Sequence, residues 1–290
     1  MTFVMVVFSV IVDRLFEFLG DWRSHQWFSG YFHLLGEKLL GINMLSGTLG
    51  VIVVALVPVT AVLIVLWILN EISTLLPFAG AFIVLVMTLG PRELHGEITA
   101  YIAAVEDKDE QRATAAAERI IGATPPAEEA ERCHAVIRGV LVNANDRLFA
   151  VIFWFSLLGP LGAVFFRGAE LLRHGLAEEY GEDSEFADAA NRLHGILAWL
   201  PARLLAGSYA LAGSFEEAVT DWRAYYDNCS ARFFEINNDI LGCSGAGAVR
   251  LAAASRGAEM EYLHATANLL NRATVIWLAS LALLTLSGFF

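Results

Sequence analysis

The chain has 290 residues, of which 57% are hydrophobic and only 17% are charged, and its mean hydropathy is +0.56. Soluble globular domains carry more charge than this, so the composition predicts a membrane protein. The formal net charge of −12 argues against nucleic acid as a partner, because no stretch concentrates lysine and arginine into a phosphate-binding surface.

Long apolar stretches predict the membrane helices. Segment 2–19 begins with an apolar run too short to cross a bilayer alone, and whether it spans the membrane or lies at the interface stays open. The predicted spanning helices are residues 47–69, 75–90, 148–166, 193–212 and 273–289. The first two are joined only by "NEIST", which predicts an antiparallel hairpin.

The stretch 193–212 is the doubtful span, because "LAWLPARLLAGSY" contains Pro201 and Arg203. Loop charge favours spanning. If this stretch spans, the loops 13–46, 91–147 and 213–272 share one side and carry 15 lysines and arginines, against three in 167–192. The positive-inside tendency then places the three large loops in the cytoplasm, whereas without this span the charges divide almost evenly.

The two larger loops, 91–147 and 213–272, are predicted to be cytoplasmic and helical. "RELHGEITAYIAAV" repeats apolar residues at helical spacing, and the alanine-rich "DEQRATAAAERIIG" stops at Gly122. A third helix begins near Ala127 and continues into the membrane at Leu148. We therefore predict one all-α domain, a polytopic membrane helix bundle with cytoplasmic helical loops.

Polar residues mark the point where this third helix enters the bilayer. Asn143, Asp146 and Arg147 are spaced to share one helix face, and Gly139 leaves space one turn earlier. We call these three polar residues the membrane-boundary cluster. They could hold the polar groups of a ligand, or they could be an interfacial anchor wetted by lipid head groups.

Arg203 is predicted to lie near the middle of a spanning helix. An arginine at that depth is costly, so it normally faces a polar cavity or a partner inside the bundle. Trp199 lies one turn earlier on the same face, and Arg192 lies near the start of the same segment. The alternative is a structural ion pair between Arg203 and a carboxylate, for which Asp13 and Asp146 are available.

Sequence motifs of common enzyme classes are absent. The chain has no phosphate-binding loop, no Gly-x-Ser-x-Gly and no His-Glu-x-x-His. The glycine-rich "CSGAGAVR" at 243–250 follows no predicted strand, and we interpret it as a turn. The three cysteines and the scattered histidines show no metal-ligand spacing, so we predict no metal and no cofactor.

Several stretches together resemble a known family. "LFAVIFWFSLLGPLGAVFFR", "NRLHGILAWLPARLLAGSYALAG" and "SFEEAVTDWR" are similar to the CobD/CbiB cobinamide-phosphate synthase superfamily and, within it, to the AmpE branch. The most specific element is Trp199–Arg203. The resemblance implies a multi-pass protein of the bacterial inner (cytoplasmic) membrane. For the synthases it implies ATP-dependent joining of an aminopropanol unit to a corrinoid carboxylate.

The chain departs from the synthase pattern at its acidic residues. The Glu-Asn-x-x-Asp-Gly element reads "VNANDR", which keeps Asn143 and Asp146 but has Arg147 in place of the glycine. The Arg-Leu-Asp-Asp element reads "RLHG", which keeps Arg192 and loses both acids. Magnesium-dependent ATP chemistry needs carboxylates to bind the metal ion. The loss of these acids therefore favours the AmpE branch.

The AmpE branch is tied to β-lactamase induction and cell-wall recycling and has no settled biochemical activity. The resemblance thus implies a signalling modulator that is non-enzymatic or has no assigned chemistry, and that binds an anionic small molecule or cell-wall fragment. The predicted cavity is lined by Asn143, Asp146, Arg147, Arg192, Trp199 and Arg203.

Two alternatives stay open. One is an ATP-dependent amide ligase in which Glu170 or Glu93 replaces the missing acids. The other is a structural membrane protein that docks a protein partner, or a second copy of itself, through its cytoplasmic helices or the acidic stretch "EEYGEDSEFAD".

Overall fold

The computed structural model describes residues 2–15, 48–89, 94–180, 184–228, 236–250 and 259–288. Within these ranges all regular structure is helical, which confirms the predicted all-α class. The helices are α1 (Thr2–Leu15), α2 (Thr48–Ile72), α3 (Leu76–Thr88), α4 (Leu94–Glu106), α5 (Glu110–Ile121), α6 (Glu129–Ala144), a π-helical turn (Asn145–Phe149), α7 (Ala150–Leu158), α8 (Pro160–Tyr180), α9 (Glu185–Ala212), α10 (Phe215–Asn228), α11 (Asn237–Ala248) and α12 (Glu259–Leu286).

Four helical stretches in the described part of the chain are long and apolar enough to cross a membrane. They are α2, the continuous run Glu129–Leu158, α9 and α12. Thr2–Val12 and α3 are shorter apolar helices. Only 17% of the most apolar window of α2 is buried, as is expected of a helix whose apolar side chains contact lipid. The protein is therefore a membrane helix bundle.

The stretch 148–166 differs from its predicted single helix. Helix α7 ends at Leu158, Gly159 has a φ of 67°, and α8 begins at Pro160. The two helices then approach closely, since a Cβ atom on Gly162 would lie 2.4 Å from the carbonyl oxygen of Trp154. A glycine with positive φ followed by a proline at the first helical position is a strong local signal for a helix break. Because the apolar pattern of 148–166 is continuous, we predicted one unbroken helix.

The described chain divides into two compact units. The first contains residues 1–91 and 148–199, and the second contains residues 92–147 and 200–289. Helix α9 and the helical run from α6 to α7 each contribute residues to both units.

The first unit has an apolar core built from α2, α8 and α9. Its buried members are Val51, Val54, Ala55, Leu171, Leu172, Leu176, Ala189 and Ala190. Gly168 on α8 faces α2, since a Cβ atom there would lie 3.7 Å from the carbonyl oxygen of Ala55, at ordinary van der Waals distance. The indole nitrogen of Trp154 donates to the carbonyl oxygen of Leu197 at 3.1 Å, which ties α7 to α9.

The second unit begins with α4, α5 and α6 packed together, and these helices form at the predicted positions. Asp109 caps α5 by accepting a hydrogen bond from the backbone nitrogen of Arg112 at 3.0 Å. Helix α5 ends at Gly122 in the left-handed conformation, as predicted. The packed faces are apolar and include the fully buried side chains of Ile98, Tyr101 and Ile120.

Helix α11 contradicts one prediction. The glycine-rich stretch 243–250, which we interpreted as a turn, is helical up to Ala248. Its glycines face neighbouring helices: a Cβ atom on Gly245 would lie 2.7 Å from the side chain of Leu141, and one on Gly247 would lie 2.8 Å from the Cα atom of Ala218. Glycine here permits close helix packing, which a reading of local propensity cannot reveal.

Candidate functional site

The membrane-boundary cluster lies where α6 passes into a π-helical turn. π turns are rare in helices and are often found at functional positions, and the extra residue shifts the side chains that follow around the helix. The amide nitrogen of Asn143 donates to the carbonyl oxygen of Ile120 at 2.6 Å. The carboxylate of Asp146, which is 7% exposed, accepts from the side chain of Asn145 at 3.0 Å.

Arg147 is bound to the helices of the second unit. One of its guanidinium nitrogens lies 2.5 Å from a carboxylate oxygen of Glu97 on α4, and another donates to the carbonyl oxygen of Arg119 at 3.5 Å. The predicted cluster therefore joins the end of α6 to α4 and α5. Two of its three members hold other helices in place.

Arg203 has a different set of partners. Its guanidinium donates to the side-chain oxygen of Asn237 and, at 3.4 Å, to the hydroxyl of Tyr226. Pro201 lies inside α9 one turn or less before it. Asn237 is 5% exposed and opens α11, whereas Tyr226 near the end of α10 is 42% exposed. These two partners are an amide and a phenol, whereas the sequence analysis considered the carboxylates of Asp13 and Asp146. The side chain of Asp13 lies outside the described residues.

A second arginine meets the same turn of α11. Arg138 on α6 lies 2.5 Å from one carboxylate oxygen of Asp239, and the hydroxyl of Tyr225 donates to the other at 2.6 Å. Asp239 is in the first turn of α11, where a carboxylate also interacts favourably with the helix dipole. The first turn of α11 therefore gathers side chains from α6, α9 and α10.

We define these six residues as the α11 site: Arg138, Arg203, Tyr225, Tyr226, Asn237 and Asp239. The residue before the helix, Ile236, has no side-chain group that could accept a hydrogen bond from the first N–H groups of α11. Two arginines and one aspartate leave the site with an excess positive charge, next to the positive end of a 12-residue helix. This arrangement favours an anion.

The remaining predicted site residues belong to the first unit. Arg192 forms an ion pair with Asp188 at 2.8 Å, one turn away on the same helix, and both side chains are largely exposed. Trp199 is half-buried on α9. Of the six predicted residues, the structure thus assigns four to the second unit, where Arg203 bonds to α10 and α11 and the boundary cluster bonds to α4 and α5.

The sequence pattern missed five members of the α11 site. Only Arg203 was identified, because a charge inside an apolar run is visible locally. Asn237 and Tyr226 are 34 and 23 residues away along the chain, and nothing in their own surroundings sets them apart. The glycine-rich stretch 243–250 was a signal that could have pointed to the site. Glycines allow α11 to pack closely against other helices, and its first turn then contacts their side chains.

Comparison with known proteins identifies relatives of two kinds. The family model described as "CobD/Cbib protein" matches residues 6–267. "Cobalamin biosynthesis protein CobD" of Chromobacterium violaceum is 35% identical over 42% of this chain and 38% of its own length. The protein of the same name from Stutzerimonas stutzeri is 34% identical over 34% of this chain and 33% of its own length.

A different relative matches the whole chain. "Protein AmpE" of Shigella flexneri is 24% identical over 99% of each chain, whereas the matches to the two CobD proteins cover only about a third of their lengths. No solved structure matches the chain. With the family model spanning most of its residues, the chain belongs to the CobD/Cbib protein family.

Proposed function

We propose that this protein is an AmpE-type modulator of the bacterial inner membrane, linked to β-lactamase induction and cell-wall recycling, that acts by binding an anionic ligand at the α11 site. The match to the AmpE protein over 99% of each chain supports this function over a synthase. The proposal includes the predicted orientation, with residues 91–147 and 213–272 in the cytoplasm.

Arg203 is the group that binds the ligand in this proposal. At the α11 site it donates to two neutral groups, the side-chain oxygen of Asn237 and the hydroxyl of Tyr226, which orient the guanidinium. A guanidinium fixed in this way binds carboxylates and phosphates well, because its N–H groups match their oxygen atoms in pairs. The exposed part of Tyr226 leaves the site accessible.

The chemistry of the site indicates one anionic group on the ligand. Asp239 pairs with Arg138, and in this proposal the ligand contacts Arg203 and the first N–H groups of α11. A cell-wall fragment that carries a carboxylate or a phosphate fits this requirement. Tyr225 and Tyr226 add hydroxyl groups that can donate to the same anion or to sugar oxygens.

The experiment compares Arg203→Ala with Arg203→Lys and with the surface control Arg112→Ala. Each variant is expressed in a strain that lacks its own AmpE, and inducible β-lactamase activity is measured beside the amount of protein in the membrane fraction. Arg112 is 62% exposed and pairs with Asp107, so its loss should change nothing. We expect R203A to lose function and R203K to keep part of it. Full function of a membrane-inserted R203A protein would reject the α11 site.

The second candidate is an ATP-dependent cobinamide-phosphate synthase-like ligase. The identity of 34–35% to the two CobD proteins over their matched thirds favours it. Expression in a strain that lacks its own synthase decides between the two, with an authentic synthase as the positive control. Restored corrinoid synthesis would establish the ligase and overturn the modulator. We expect no rescue from a well-expressed, membrane-inserted protein.

A further inference from the structure

Helix α10 places two stacked aromatic side chains beside the α11 site. Trp222 and Tyr226 lie one turn apart, and their ring centroids are 6.4 Å apart with the ring planes inclined by 30°. We call these two residues the aromatic pair. The hydroxyl of Tyr226 accepts a hydrogen bond from the guanidinium of Arg203 at 3.4 Å. One edge of the aromatic pair therefore touches the arginine that binds the anion in the proposed function.

The aromatic pair lies at the surface of the helix layer. Tyr226 is 42% exposed, and Trp222 is half-buried. Arg223 and Asp227, which follow the two aromatic residues along α10, are exposed and charged. Hydrophobic pairs one turn apart stabilise a helix slightly, but that role requires neither an accessible ring nor a contact with an arginine. The two features together indicate a surface that contacts a ligand.

Groups that form hydrogen bonds adjoin the aromatic pair. The hydroxyl of Tyr225 donates to Asp239 at 2.6 Å, and its oxygen atom can accept a hydrogen bond at the same time. The carboxylate of Asp239 belongs to a side chain that is 39% exposed, so it can accept a hydrogen bond from a ligand hydroxyl. The surface thus combines aromatic rings, a cation and several polar oxygen atoms.

This combination matches the chemistry of an acidic sugar. The face of a pyranose ring carries C–H bonds whose hydrogen atoms are weakly positive, and it packs against the electron-rich face of an aromatic ring. The hydroxyl groups of the sugar point away from the ring edge, where Tyr225 and Asp239 can bind them. A carboxylate attached near the sugar ring reaches Arg203, because its guanidinium already contacts the hydroxyl of Tyr226.

We propose that the ligand of the α11 site is a sugar acid, whose pyranose ring packs on the aromatic pair while its carboxylate binds Arg203. Trp222 then determines specificity, because its ring supports that of Tyr226 and extends the stacking surface. The inference rests on the proposed function, since it names the class of ligand for the same site. Nucleotide bases also stack on aromatic rings, so the experiment includes a nucleotide.

The experiment measures ligand binding to the detergent-solubilised full-length protein by saturation-transfer-difference NMR spectroscopy. N-acetylmuramic acid is the acidic sugar, N-acetylglucosamine is the same ring without the carboxylate, and lactate is the acid without the ring. We expect N-acetylmuramic acid to bind at least about tenfold more tightly than either of the others, because it alone contacts Arg203 and the aromatic pair together. The strongest saturation should reach its ring C–H protons.

Matched variants test the two parts of the surface separately. Trp222→Leu and Tyr226→Leu should each weaken binding of N-acetylmuramic acid about tenfold, whereas Tyr226→Phe keeps the ring and should lose less. Because Tyr226 is 42% exposed, Y226L tests the surface even if W222L fails to fold. Arg203→Ala should reduce the affinity to that of N-acetylglucosamine. The control is Phe215→Leu, which removes a 60% exposed aromatic ring two turns earlier on α10 and should leave binding unchanged.

The inference is overturned if N-acetylmuramic acid does not bind at millimolar concentration or binds no more tightly than N-acetylglucosamine. Tighter binding of uridine monophosphate, or an equal loss for F215L and W222L, would also overturn it. None of these outcomes changes the β-lactamase experiment with R203A, so the proposed function is judged separately. Binding of N-acetylmuramic acid together with full function of R203A would instead reject the proposed function and keep the sugar-acid site.

Discussion

Arg147 and Glu97 form an ion pair of 2.5 Å that joins the π-helical turn to α4. Their side chains are 19% and 10% exposed, so both charges have been largely removed from water. Each charge depends on the other, since an uncompensated charge in such surroundings is costly. The pair connects the point where α6 enters the apolar run with the helical layer formed by α4 and α5.

Replacing Glu97 with glutamine should destabilise the protein by about 1–3 kcal/mol, because Arg147 then keeps a desolvated charge without its partner. The measurement is the thermal transition of the purified protein in detergent. Glu118→Gln, an exposed glutamate on α5, is the control and should change the transition little. Removing both charges with Glu97→Leu and Arg147→Met should recover most of the loss; a double variant no more stable than E97Q would contradict this account.

The glycines of α11 allow a matched test of close helix packing. Gly247→Ala should cost about 1–3 kcal/mol, since its Cβ atom would lie 2.8 Å from the backbone Cα atom of Ala218, which cannot move aside. Gly207→Ala on α9 meets no heavy atom within 4 Å and should be neutral or stabilise by up to about 1 kcal/mol. Equal transition temperatures for the two variants would show that the close approach is not energetically important.

Sequence reasoning succeeded where local patterns decide the structure. Helices α4 to α6 follow from apolar spacing, and the end of α5 follows from Gly122. The prediction failed at two places where one feature of the sequence masked another: at the break between α7 and α8, and in the glycine-rich helix α11. The apolar run over 148–166 outweighed Gly159 and Pro160, and the low helix propensity of glycine outweighed the close packing of α11.

The candidate site was predictable only in part, for a related reason. Arg203 is identifiable because its charge interrupts an apolar helix, yet its partners are determined by how α9, α10 and α11 pack together. Arg147 looked like a ligand-binding group from its spacing with Asn143. Its pairing with Glu97, 50 residues earlier, joins the π-helical turn to α4, a contact that its spacing with Asn143 could not reveal.

Asp239 is predicted to hold α6 and α10 against α11. Asp239→Asn removes the charge that Arg138 and Tyr225 bind, and it should lower stability by about 0.5–1.5 kcal/mol, since the ion pair is partly exposed. Asp227→Asn, an exposed acid on α10, is the matched control. Thermal transitions of the two variants are compared in low and high salt, and a loss for D239N that does not shrink with salt would contradict an electrostatic role.

Gly159 is predicted to be required by backbone conformation alone. It has a φ of 67° and a ψ of −156°, a combination that essentially only glycine adopts, and no heavy atom lies within 4 Å of a Cβ position, so Gly159→Ala should cost about 1–3 kcal/mol through backbone conformation only. Gly207→Ala, which has equal space but no positive φ, isolates this cause. If the two alanine variants unfold at the same temperature, the break between α7 and α8 does not depend on that conformation.

Tyr101 is predicted to make stability fall at alkaline pH. Burial raises its pKa above the ordinary value of 10.0, so the unfolded chain loses this proton at a lower pH than the folded protein does. The contribution is therefore fully present below about pH 10 and is lost as the pH rises through the pKa of the folded state. Tyr101→Phe removes the titrating group.

The measurement is the thermal transition of the wild type and of Y101F as the pH is raised from 8 through 11. At pH 8 Y101F should be less stable than the wild type by about 0.5–1.5 kcal/mol, because the hydroxyl that accepts a hydrogen bond from Arg132 is lost. Above pH 10 the transition of the wild type should fall more steeply. Parallel curves would mean that the phenol does not titrate between the two states, and a Y101F protein as stable as the wild type at pH 8 would mean that the interaction with Arg132 does not contribute to stability.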